Sequence, residues 1–262
     1  MTVTKLLEKK KKGEPITMLT AYDYTFAKLV DEASIDVILV GDSLGMVILG
    51  YPSTLPVSME DMIRHTQAVA RGTTNAMVVA DMPFLSYQVN EDEAVRNAGR
   101  FLQEAGAEGV KLEGGKSVAP IVKRMATAGI PVMGHLGLTP QSVHAFGGYK
   151  VQGRSEASAR ELLADAQALE AAGCFSIVLE CVPANLGQEV SRALSIPTIG
   201  IGAGNQCDGQ VLVLYDCLGL TTDLNPKFVK HFAHLREEVG KGLKQYIEEV
   251  KDRRFPSKDQ SF

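Results

Sequence analysis

Apolar, β-branched-rich runs of about five to eight residues alternate along this chain with longer segments whose apolar positions recur at helical spacing. The runs are ITMLTAYD (16–23), DVILVGD (36–42), AMVVADMP (76–83), GVKLEGG (109–115), PVMGHLG (131–137), FSIVLECVP (175–183), PTIGIGAG (197–204) and QVLVLYD (210–216). Near-continuous apolar runs are what strands of a parallel sheet look like when both faces are covered. Between them, EDEAVRNAGRFLQEAG puts Ala94, Val95, Ala98, Phe101, Leu102 and Ala105 on one helical face, and SEASARELLADAQALEAAG opens on a Ser cap and closes on Gly173. Repeated strand–helix units, eight strand candidates and no low-complexity linker predict a (β/α)₈ TIM barrel formed by one domain over residues 1–262, in preference to an open doubly wound sheet. Outside the barrel repeat, 1–15 reads as an N-terminal arm or helix, 226–250 as a C-terminal helical segment and 251–262 as a tail.

Composition narrows the class without naming a chemistry. With 262 residues, 45% hydrophobic and 22% charged, the chain has ample material for a core. A net charge of −4 gives no electrostatic case for nucleic acid, and the one basic run, Lys9 to Lys12, reads as a solvated helix end. No apolar run approaches the roughly 18 residues of a membrane helix, and MTVTKLLEKKKKGEP lacks the apolar core of a secretory signal, so a cytoplasmic location is expected. Cys174, Cys181, Cys207 and Cys217 show no CxxC spacing and read as reduced thiols.

The chemistry stands where the apolar runs stop. In a barrel of this type the functional groups sit at the C-terminal ends of the strands. Here the second run ends in Asp42 followed by Ser43, the third in Asp81, the fourth carries Lys111 and Glu113, the fifth His135 and the sixth Glu180. Several carboxylates converging on one mouth repel one another and raise their pKa values unless a cation neutralises them. Asp42, Asp81 and Glu113 offer oxygen ligands only, which suits a hard divalent cation such as Mg²⁺, and no Cys or His cluster stands at zinc spacing. Each residue also has a plainer reading: Asp42 as a helix cap, Asp81 as a turn former, Glu113 as a partner of Lys111.

Lys111 and Glu113 are two apart, so both face the barrel interior and read as a pair. The ammonium is placed to hold a substrate carboxylate or enolate oxygen. A Schiff-base role is the competing reading, and a neighbouring carboxylate opposes it by favouring the charged amine. Glu180 is a candidate general base, with a strand-end salt bridge as its alternative. His135 reads equally as a substrate-side group or as a satisfied core histidine.

Two other patterns carry less. GIGAGN (200–205) has GxGxG spacing, and the residues after it are strand-like where a dinucleotide fingerprint requires a helix. His231 and His234 lack a third ligand and read as part of a helix face. The same segment repeats Phe228, Phe232, Leu235, Val239, Leu243, Tyr246 and Val250, a stripe suited to covering the barrel or another subunit.

The blocks TAYDYTFAKL, VGDSLGM, STLPVSMEDM, ADMPF, VKLEGG, GHLGLTPQSVHAFGGYKVQGR, LECVP and IGIGAGNQCDGQVLV, in this order between about residues 16 and 227, resemble the ketopantoate hydroxymethyltransferase family. That resemblance implies a (β/α)₈ barrel of the phosphoenolpyruvate/pyruvate type, assembled into homo-oligomers, typically decamers. It implies Mg²⁺ held by the residues at Asp42, Asp81 and Glu113, substrate contacts at Ser43 and Lys111, and a base at Glu180, with no departure at these positions. The implied reaction transfers a one-carbon unit from 5,10-methylenetetrahydrofolate to 3-methyl-2-oxobutanoate, giving 2-dehydropantoate and tetrahydrofolate, at the first committed step of pantothenate synthesis. Two rival readings are a folate-independent lyase or mutase of the same barrel type, and a non-catalytic barrel, which would be expected to lack the strand-end polar residues.

Overall fold

All eight apolar runs form strands: β1 Ile16–Thr20, β2 Val37–Val40, β3 Met77–Asp81, β4 Gly109–Glu113, β5 Val132–Gly137, β6 Ser176–Glu180, β7 Thr198–Ile201 and β8 Gly209–Leu212. In the computed structural model, which describes residues 1–221 and 226–262, they pair in parallel in sequence order, and β8 returns to β1 to close a (β/α)₈ TIM barrel. Every residue of β2, β3 and β4 is buried. Burial of this kind follows from a sheet whose inner face is filled by side chains and whose outer face is covered by helices.

The chain divides into two compact units, Met1–Val213 and Leu214–Phe262. In the first, the lower half of the barrel is filled by Ile16, Met18, Val37, Leu39, Met77, Val79, Met133, Phe175, Val178, Ile199 and Val211. Leu6, from the helix Val3–Lys12, joins this core with 2% of its surface exposed. That packing corrects the reading of the basic run as solvated for Lys9 and Lys10, while Lys11 and Lys12 stay exposed. Lys9 Nζ lies 2.7 Å from Asp36 Oδ2, and Lys10 Nζ lies 2.7 Å from Asp208 Oδ2 and 2.6 Å from the Ser191 carbonyl. Helical spacing that sinks Leu6 into the barrel floor brings these two lysines against the acidic residues that precede β2 and β8.

Outer helices begin where their sequences supply a cap. Ser58 and Asp61 form a reciprocal capping box at the start of Met59–Gly72, and Ser155 caps Glu156–Ala172, which ends on Gly173. Glu91–Gln103 buries Ala94, Ala98 and Phe101 as the spacing predicts. Complete burial of a side chain the size of Phe101 contributes about 2–3 kcal/mol by area.

In the second unit the chain departs from expectation twice. The run 210–216 leaves the sheet at Leu212, where its ladder with β1 ends, and Leu214–Cys217 forms a short helix. The long helix covers Leu235–Lys251 rather than 226–250. The N–H groups of Phe232 and Leu235 donate to the carbonyls of Cys217 and Leu218, so the segment ahead of the helix is tied to the preceding turn. His231 and His234 therefore lie off the helix, with their rings edge to face. Residues 222–225, near the end of the segment carrying the family resemblance, fall outside the described residues. Among the described residues, no helix is long and apolar enough to cross a membrane.

Candidate active site

Inward positions of a barrel strand recur every second residue. Two residues beyond the apolar core members Val79, Met133 and Val178 stand Asp81, His135 and Glu180, and β4 presents Lys111 and Glu113 in the same sense. The period that fills the lower half with methionine and valine thus lines the upper half with charge. Asp42 and Ser43 follow β2, where Gly41 leaves room: a Cβ there would lie 2.7 Å from Ser43 Oγ. At the top of β5, Gly137 adopts a φ of +90°, and any side chain on it would collide with the Glu180 carbonyl. Glycine at 137 is therefore part of how Glu180 is seated.

All seven anticipated residues come to this mouth, and their pairing can be read from distances. Lys111 Nζ is 2.6 Å from Asp81 Oδ1 and 3.2 Å from His135 Nδ1. His135 Nδ1 is 3.4 Å from Glu113 Oε1, and His135 Nε2 is 3.2 Å from Glu180 Oε2. The backbone N–H of Asp42 donates to Asp81 Oδ2 at 3.0 Å. Ser43 Oγ and the Tyr22 hydroxyl are 2.8 Å apart. Lys111 therefore pairs across the β3–β4 seam with its register partner Asp81, not along its own strand with Glu113. Residues two apart on one strand are separated by about 7 Å along it, whereas register partners sit side by side.

The plainer readings of Asp42 and Asp81 do not describe these contacts, whereas that of Glu180, a strand-end salt bridge, does describe its contact with His135. Ser43, not Asp42, precedes the helix Leu44–Val47, and no side chain caps it. Asp81 holds the Asp42 backbone and the Lys111 ammonium rather than a turn of its own.

Electrostatics follow from burial. Asp42 is 4% exposed, and burial, with the charges of Asp81 and Glu113 added, pushes its pKa well above the ordinary carboxylate range. Burial also raises Asp81, against the opposing pull of Lys111. Burial works against a charge on Lys111, but Asp81, Glu113 and Asp42 outweigh it and raise its pKa, which favours the ammonium over the free amine a Schiff-base nucleophile needs. For His135, burial and Lys111 oppose protonation, while Glu113 and Glu180 prevail and push its pKa up to about 9.

Two residues without a chemical signal in the sequence organise the acids. Gln141 Nε2 donates to Asp42 Oδ2 at 2.8 Å and to the Met82 carbonyl at 2.9 Å, and its backbone N–H donates to Glu113 Oε2 at 3.0 Å. The Tyr87 hydroxyl donates to Gln141 Oε1 at 2.8 Å and accepts from the Glu113 backbone N–H at 3.1 Å. Gln141 lies inside the block GHLGLTPQSVHAFGGYKVQGR, where His135 is the more conspicuous residue; Tyr87 stands in a loop with no chemical pattern around it.

Asp42, Asp81 and Glu113 do not form a closed metal cage. Among the described residues, no group of three His, Cys, Asp or Glu side chains is arranged to hold an ion by itself. Their donor chemistry nevertheless fits a hard cation. One oxygen of each acid is committed to a protein N–H: Asp42 Oδ2 to Gln141, Asp81 Oδ2 to Asp42, Glu113 Oε2 to Gln141. Buried Asp81 Oδ1 has no aligned hydrogen bond among the described residues, meeting Lys111 only as an ion pair. Mg²⁺ typically takes one or two carboxylates and completes its shell with water and substrate oxygens.

The ketopantoate hydroxymethyltransferase family profile matches residues 1–258. The chain belongs to this family. It is 64% identical over 253 residues to the 3-methyl-2-oxobutanoate hydroxymethyltransferase of Syntrophus aciditrophicus (strain SB), covering 97% of this chain and 93% of the relative. Identity to the enzyme of the same name from Clostridium botulinum (strain Langeland) is 59% over 261 residues, covering 100% and 95%. Among solved structures, phosphoenolpyruvate phosphomutase from Streptomyces platensis subsp. rosaceus superposes with a TM-score of 0.64 at 14% identity, covering 96% of this chain and 88% of that one. That likeness concerns the barrel alone. As a member of the ketopantoate hydroxymethyltransferase family the chain is an enzyme, a transferase.

Proposed function

We propose that this family member transfers a hydroxymethyl unit from 5,10-methylenetetrahydrofolate to 3-methyl-2-oxobutanoate, giving 2-dehydropantoate and tetrahydrofolate, as the first committed step of pantothenate synthesis. The observation that carries this reading is the strand-end constellation of three buried carboxylates, one ammonium and the His135–Glu180 pair, in a chain so similar to enzymes of that name. Asp42, Asp81 and Glu113 are the residues that would hold Mg²⁺, through the oxygens not taken by a backbone or amide N–H, of which Asp81 Oδ1 also meets Lys111 and Glu113 Oε1 also faces His135. Bound there, the cation supplies Lewis acidity to the keto acid's oxygens and lowers the barrier to forming its enolate.

The protein's own groups do the rest. Lys111 offers a buried ammonium to the oxyanion side of the substrate, and Ser43, held by Tyr22, offers a hydroxyl to the carboxylate. Asp42 and Asp81 border the same substrate oxygens. Glu180 takes the C3 proton; its carboxylate is 16% exposed, open to the mouth on one side and held by His135 on the other. The C3 carbanion equivalent then attacks the methylene carbon of the folate iminium, forming the new C–C bond, and water replaces the departing folate nitrogen to leave the hydroxymethyl group. Family membership supports a homo-oligomer, with a decamer suggested, and the exposed apolar side chains of Leu235–Lys251 support it further. A cytoplasmic location suits an enzyme of this metabolism.

Proton NMR of the protein with 3-methyl-2-oxobutanoate in D₂O tests the reading. Mg²⁺-dependent loss of the C3 proton signal, followed by product on adding methylenetetrahydrofolate, is expected. Exchange without folate-dependent product would favour a lyase or mutase of the same barrel type.

A further inference from the structure

We infer that Gln141, anchored by Tyr87, is a positioning residue that clamps the Asp42 and Glu113 carboxylates in the orientation a divalent cation requires. The inference rests on the proposed metal role of those acids and concerns a residue outside the metal-binding, substrate-binding and base sets.

Gln141 is 7% exposed, and every hydrogen-bonding position of its side-chain amide is used. The two Nε2 protons go to Asp42 Oδ2 and the Met82 carbonyl. The two lone pairs of Oε1 receive the Tyr87 hydroxyl at 2.8 Å and Gln88 Nε2 at 3.2 Å. A glutamine amide is nearly symmetric in shape, so only its partners decide which end faces an acid. Here Tyr87 and the Met82 carbonyl decide it. The Tyr87 proton has two acceptors in reach, Gln141 Oε1 at 2.8 Å and the Glu113 carbonyl at 3.3 Å, and the shorter contact together with the Met82 carbonyl, which can only accept, turns Nε2 toward Asp42. With the backbone N–H of Gln141 on Glu113 Oε2, one residue grips two acids from different strands and closes a ring of bonds through Tyr87 back to Glu113.

This ring answers a specific problem. Asp42 and Glu113 repel each other, and without a donor between them each carboxylate would rotate away from its neighbour. A neutral amide holds Asp42 without adding charge and fixes Oδ2, leaving Oδ1 as the oxygen for a ligand. Groups that orient metal ligands from behind typically change affinity by about 10- to 100-fold when removed.

The test is the affinity of the whole protein for Mn²⁺ alone, read by electron paramagnetic resonance without keto acid or folate. Gln141→Met keeps the length and loses the amide; its Mn²⁺ dissociation constant is expected to rise on the order of 10- to 100-fold. Tyr87→Phe, which removes one hydroxyl, should weaken binding less. The Gln141→Met/Tyr87→Phe double variant should lose less than the sum of the two single losses, because Tyr87 acts in part through Gln141 and in part on the Glu113 backbone. If Gln141→Met does not fold, Tyr87→Phe carries the test. Folded variants that bind Mn²⁺ as the parent does, or losses that add in the double variant, would overturn the clamp. A parent protein that binds no Mn²⁺ would overturn the metal reading itself, and the clamp with it.

Discussion

Lys111 and Asp81 are register partners on adjacent strands, and their charged atoms approach to 2.6 Å with both side chains about 95% buried. An ion pair so placed is weak evidence of net stabilisation, but removing one member leaves a buried charge uncompensated. In metal-free protein, Lys111→Met should therefore lose about 3–5 kcal/mol against urea. Asp81→Asn combined with Lys111→Met should recover part of that loss. Simple addition of the two single effects would contradict the pairing.

Glu180 is the acid whose removal should separate binding from chemistry. Glu180→Gln keeps the shape and loses the base, so the keto acid and Mn²⁺ should bind as before. Exchange of the C3 proton in D₂O should slow by about 10²- to 10⁴-fold, the range for a positioned general base. Exchange at the parental rate would move the base elsewhere.

At the barrel floor, burial alone would raise the Asp36 pKa, but hydrogen bonds from Lys9 and from the Thr17 N–H and hydroxyl prevail and hold it below its ordinary value. A carboxyl with a depressed folded pKa contributes stability above its unfolded pKa of about 3.9 and loses it as pH falls through the folded value. Lys9→Met should thus cost about 1.5–3 kcal/mol at pH 7, the scale of a charged hydrogen bond. Urea titrations should show the gap between variant and parent closing as pH falls through and below 4.

Val239, Leu243, Tyr246, Ile247 and Val250 on the helix Leu235–Lys251 are each more than 40% exposed in the single chain. If this face lies between subunits, Leu243→Glu with Ile247→Glu should lower the mass seen by analytical ultracentrifugation while leaving the far-ultraviolet dichroism of the barrel in place. An unchanged mass would put the subunit contacts elsewhere.

How much of the molecule is legible in its sequence depends on how far apart the interacting groups lie along the chain. Strands whose two faces are both covered are unbroken apolar runs, so β1 to β8 can be found by eye. The alternation that fills the core also carries Asp81, Lys111, Glu113, His135 and Glu180 to the correct face. Partner choice depends on register between strands, which no local pattern encodes, so a reading along one strand pairs Lys111 with Glu113 instead of Asp81. Lys9 and Lys10 read as solvated because the acids they meet are 27 and 198 residues away. Gln141 carries no charge and no titration, and nothing in its neighbourhood marks it as the residue between two acids.

The floor of the barrel also sets a timetable. Lys10 waits for Asp208, 198 residues further along the chain, and β1 waits for β8. During synthesis, every residue of the candidate site through Glu180 is made before Gly209–Leu212, the strand without which the ring cannot close. The enzyme is assembled by its last strand, and a chain released before Gly209 would carry the full complement of site residues and no vessel to hold them.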